Sequence, residues 1–179
     1  PRGLWKMSQG DLYGVSMAVA QNPHTPVEAL VGMAESRHSG VREEVAGHPK
    51  TPVQILIKLS QDNSEKVKEK LAANGNTPTR ILRELIGSSN HWIIFALSKN
   101  PKLPVDMLTR LSKYTVQDVR RNIARNPNTP LDVLREMTKD EDSWVRYEAR
   151  EGNPKLEVIK NNGLAGVAGY VEKWLLPPR

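Results

Sequence analysis

Leucine returns every 26 residues along this 179-residue chain, at Leu4, Leu30, Leu56, Leu82, Leu108 and Leu134. Three positions later stands a second apolar column, Met7, Met33, Leu59, Leu85, Leu111 and Met137. The opposite face is polar, with Glu28, Gln54, Arg80, Asp106 and Asp132 in one column two positions before the leucine. This pattern predicts a surface helix of about three turns with one apolar stripe. Val27, Val53, Val105 and Leu131 fall on the same face by helical angle and are expected to be buried with it, Thr79 being the polar exception. Each unit then carries an i, i+4 pair: Val15/Val19, Val41/Val45, Val67/Leu71, Ile93/Leu97, Val119/Ile123 and Val145/Ala149. That pair predicts a shorter helix of about eight residues, α or 3-10. No segment sustains strand alternation.

Between the helices one phrase recurs, as in Asn22-Pro23-His24-Thr25-Pro26 and Asn126-Pro127-Asn128-Thr129-Pro130, with prolines at Pro26, Pro52, Pro78, Pro104 and Pro130. It reads as a helix start. Thr25 serves as N-cap, Pro26 takes the first helical position, and Glu28 completes a capping box. His24 and His48 fall within this phrase and are expected on a solvent-exposed turn. Ser39, Ser64, Asn90, Asp118 and Asp142 stand where the second helix needs a cap.

A period held this strictly makes the chain an array: a right-handed, all-α solenoid of about six long-helix/short-helix repeats, each burying its stripe against its neighbours. The array is expected over 1–155 and a C-terminal cap over 156–179, where Leu164, Val167, Val171, Trp174 and Leu175 suggest a last amphipathic helix. The chain opens inside a repeat, which suggests a fragment. Asn153-Pro154 comes 27 residues after Asn126-Pro127, one residue late. There is no cysteine, so disulfides and thiolate metal sites within the chain are excluded and a cytoplasmic setting is expected. No apolar run approaches the roughly 20 residues that span a bilayer.

Units of Asn-Pro-x-Thr-Pro, Leu-x-x-Leu and Val41-Arg42-Glu43-Glu44-Val45-Ala46 resemble the leucine-rich repeat variant family, over about residues 1–155. The resemblance implies a right-handed superhelix of alternating α and 3-10 helices and a binding scaffold. The family's founding member adds a cysteine-rich iron–sulfur module, which a chain without cysteine does not carry. The Val-Arg step is also similar to HEAT repeats, where an arginine joins an aspartate in a ladder between units.

Two candidate surfaces follow. Trp92, Ile94 and Phe95 put large apolar groups at positions that are mostly polar in the other units, and are expected to form an outward patch for a protein partner or for self-association. Arg42, Lys68, Arg120, Arg121, Arg125 and Arg146, on a chain of net charge +6, form the second. They would either track a nucleic-acid backbone without sequence preference or build a structural ladder with acidic neighbours such as Glu43, Glu69 and Asp118. No phosphate loop, nucleophile motif or metal-ligand spacing accompanies them, so no catalysis, cofactor or small-molecule substrate is expected.

Overall fold

A computed structural model describes residues 11–156, and among these it is all-helical, with eleven α-helices. The first is α1, Asp11–Gln21; α2 and α3 are Val27–Met33 and Ser39–Gly47; α4 and α5 are Val53–Leu59 and Glu65–Ala73. Then come α6 Thr79–Leu85, α7 His91–Ser98, α8 Val105–Leu111, α9 Gln117–Arg125, α10 Leu131–Met137 and α11 Ser143–Tyr147. A π-helix, Glu148–Gly152, continues α11. Leu4, Met7 and the expected capping helix lie outside the described residues.

The chain divides into two compact units, 1–96 and 97–179. In the first, α3 packs between α1 and α5, and α2 and α4 lie against this row. In the second, α9 packs on α11, the π-helix and α8. The core holds most of the predicted columns: Leu30, Leu56, Leu82, Leu108 and Leu134 are buried, as are Val41, Val67, Ile93, Val119 and Val145 with their i+4 partners, whereas the first pair, Val15 and Val19 on α1, is exposed.

Three expectations about the repeat are corrected. The helix read as long has seven residues and the one read as short has eight or nine, except in α1 with eleven and α11 with five, and both are α-helical. The first helix ends early because a tightened last turn closes it: the N–H of Ser36, Asp62, Ser88, Tyr114 and Asp140 each donates three residues back. Secondly, Val27, Val53, Val105 and Leu131 are exposed. The stripe centres on the Leu30 column and its preceding neighbours Ile81, Met107 and Val133, which turns the first helical position aside.

Thirdly, the threonine of the turn caps the helix behind it, not the one ahead. Thr51, Thr77 and Thr129 donate their hydroxyls to the carbonyls of Val45, Leu71 and Ile123, at 2.6, 2.7 and 2.6 Å. Thr25 bonds the Val19 carbonyl in the same way. The following helix starts from Pro26, Pro52, Pro78, Pro104 or Pro130, extended residues that offer no side-chain cap. A buried hydroxyl between two helices meets the last carbonyls of one before the first N–H groups of the other, and proline removes one of those. Asp142 is a true cap, accepting from the N–H groups of Trp144 and Val145.

Asparagine side chains tie the turns together. Asn74 donates Nδ2 to the carbonyls of Ala46 and His48, Asn126 to Asn100, and Asn153 to Ala124 and Asn126. Each also accepts, through Oδ1, the N–H two residues on. His48, expected in solvent, is a buried member of this column. The extra residue before Asn153 is taken up by the π-helix, so Asn153 keeps its place in the column.

Candidate functional site

Two members of the basic column, Arg42 and Arg120, point inward. On α3, Arg42 grips Asp62 with a two-pronged fork, Nε to Oδ2 at 2.6 Å and Nη2 to Oδ1 at 3.0 Å, while Nη1 donates to the Ser36 carbonyl at 2.7 Å. On α9, Arg120 repeats the arrangement with Asp140 at 2.8 and 2.9 Å and the Tyr114 carbonyl at 2.9 Å, adding Glu141 at 3.0 Å. The partner carboxylate is 20 residues on, in the next repeat, rather than beside the arginine at Glu43 or Asp118. The Arg42 fork holds Asp62 below the usual carboxylate range, against the opposing effect of burial. Burial pushes Asp140 the other way, but Arg120 and the Asp142 N–H bring it down as well. Bidentate pairs of this kind fix direction as well as distance.

The remaining members of the expected basic surface are also engaged. Lys68 pairs with Glu65, and Arg146 donates Nη1 to the carbonyls of Asp140 and Glu141. Arg121 and Arg125 converge on the carboxylate of Glu148, at 3.2 and 3.6 Å. Arg120 itself is buried, which removes it from any surface.

The aromatic patch is corrected at Ile94. Trp92 is 54% exposed and Phe95 half-buried, but Ile94 is 2% exposed. Its register position is that of Arg42 and Arg120, so polarity at this column marks an inward arginine. An isoleucine there joins the core.

Trp92 is not alone. Fifty-two residues on, at the same register position, Trp144 is 58% exposed, and Tyr147, at the position of Phe95, is 52% exposed. Each tryptophan meets its i+3 ring edge to face: Trp92 and Phe95 at 6.4 Å and 84°, Trp144 and Tyr147 at 6.2 Å and 84°. In the second unit Arg121 lies over the Trp144 ring at 5.0 Å, anchored from below by Glu148. The first unit has the His91 ring at 4.6 Å from Trp92 instead. The shared register of Trp92 and Trp144 was visible in the sequence; the exposure of Trp144 and Tyr147, and the burial of Glu148, were not.

Among the described residues no group of three His, Asp or Glu side chains could hold a metal ion, and no helix is long and apolar enough to cross a membrane. Residues 118–142 match the leucine rich repeat variant family. This segment holds both halves of the Arg120–Asp140 fork and the Asn126-Pro127-Asn128-Thr129-Pro130 turn. No curated protein and no solved structure matches the chain.

Proposed function

Taking residues 118–142 as a leucine rich repeat variant unit in a chain of such repeats, we propose that the protein is a non-catalytic scaffold that binds a protein partner. The observation that carries this reading is the pair of exposed indoles, Trp92 and Trp144, each braced by an edge-on ring at one register position. A tryptophan half in water loses apolar burial that a partner restores, and such residues dominate interface energetics. In this reading about six units wind into a right-handed cytoplasmic array closed by a cap over 156–179. Self-association is the other form the contact takes. The arginine forks weigh against nucleic acid, since cations held by carboxylates release few counterions.

The test uses the full chain as bait. Trp144→Ala with Tyr147→Ala, and separately Trp92→Ala, should remove specific partners or shift the sedimentation profile while helicity is kept. Val105→Ala, at an exposed apolar site elsewhere, should leave both unchanged. Indifference of capture and sedimentation to all the aromatic substitutions sinks the proposal. So does oligonucleotide binding much tighter than the roughly 10⁻⁴ M of weak non-specific association at physiological salt, if it is lost with Arg121→Glu.

A further inference from the structure

His48 occupies a position that asparagine holds in the turns at Asn22, Asn74, Asn100 and Asn126. It is 4% exposed, and both ring nitrogens are engaged. Nδ1 accepts the backbone N–H of Lys50 at 3.1 Å, and Nε2 lies 3.0 Å from the carbonyl oxygen of Asn22 in the preceding repeat. A backbone N–H can only donate and a carbonyl can only accept. The ring is therefore neutral, with its proton on Nε2. In this form it does the two jobs of Asn74 and Asn126, whose Oδ1 accepts from the residue two places on and whose Nδ2 donates to the repeat behind. The difference is that an amide does not titrate.

We propose that His48 makes the joint between the first two turns of the N-terminal unit sensitive to protons. A second proton must go to Nδ1, where it meets the Lys50 N–H head on. The ring then gives up the turn over 48–51, and its hold on Asn22 loosens with it.

The surroundings do not cancel this effect. A cavity of about 260 Å³ beside the ring is lined by Ala20 and Gln21 of α1, Glu44 of α3 and Lys70 of α5. Glu44 attracts an added positive charge; Lys70 and the adjacent Lys50 repel it. His24, on the neighbouring turn, is exposed and adds a further positive charge once protonated. The donor-to-donor clash at Nδ1 thus decides the sign. The folded joint requires the neutral ring, so it is whole while Nδ1 is free to accept and weakens as falling pH adds the second proton.

Nitrogen-detected NMR of the full chain reads the tautomer directly, and hydrogen exchange at Lys50 reads the joint. At pH 7.5 the ring should carry its proton on Nε2. Between pH 6.5 and 5 the protection factor of the Lys50 amide, corrected for intrinsic chemistry, should fall by up to about tenfold per pH unit. The thermal midpoint should drop further over this interval in the wild type than in His48→Asn, while His24→Asn behaves like the wild type. A proton on Nδ1 at neutral pH, steady Lys50 protection, or equal midpoint losses in wild type and His48→Asn overturns the proposal. If His48→Asn does not fold, the wild-type tautomer and protection decide alone.

Discussion

Glu148 and Gly152 depend on each other. The buried carboxylate that anchors Arg121 and Arg125 folds back over Gly152, where a β-carbon would collide with it. Gly152→Ala should displace the carboxylate, cost about 1–3 kcal/mol as an overpacked site, and change the fluorescence of Trp144, because Arg121 loses its anchor. Gly32 is the opposite case: it lies inside α2 with nothing within 4 Å of an added β-carbon. There Gly32→Ala should stabilise by about 0.5–1 kcal/mol, since only backbone freedom changes. Chemical denaturation of the two variants reads both signs, and a stabilised Gly152→Ala would mean the carboxylate is not confined.

Between helices, the 20-residue step from Arg42 to Asp62 and from Arg120 to Asp140 leads from Lys68 to Ser88. The fork is therefore missing at this place in the first unit. Ser88 keeps one duty of the aspartate, accepting the Asn90 N–H at 3.1 Å as Asp62 accepts that of Ser64, but Lys68 turns to Glu65 on its own helix. Lys68→Arg with Ser88→Asp should rebuild the fork and stabilise by about 1 kcal/mol, more than the two single changes together. Additivity in a double-mutant cycle would show that no fork forms. The same comparison explains what the sequence made legible. Apolar columns at the centre of the stripe announce burial, which is why Leu30 and Val41 are placed correctly, while the Val27 column at its edge is not. A polar column does not announce its direction: Arg42, Thr25 and His48 stand in polar company yet face inward, because each meets a carbonyl or carboxylate that the period itself does not reveal.

At the scale of the molecule, both compact units hold such a fork among the described residues, Arg42–Asp62 in the first and Arg120–Asp140 in the second. Both aspartates are held below the usual carboxylate range. Their contribution is thus complete above about pH 4 and is lost as pH falls through the lowered folded values, a window separate from that of any imidazole. Thermal midpoints followed from pH 5 to pH 2 should show this loss, flattened by Asp62→Asn and Asp140→Asn; an unchanged slope in both variants would mean the forks do not govern acid stability. The all-helical array was legible because a strict period multiplies weak local signals. The site was legible only in part: Trp92 stands out by contrast with its column, whereas Trp144, at the same register, lacks the run of large apolar neighbours that marks Trp92. Asn153 arrives one residue late by the 26-residue period, yet the chain absorbs it within the single turn of Glu148–Gly152. Repeat length in this protein is therefore elastic inside a helix and rigid at the turn. Gains and losses of single residues should be tolerated ahead of the asparagine position and not beyond it, so that the spacing of these turns records where a frame can breathe rather than a fixed ruler.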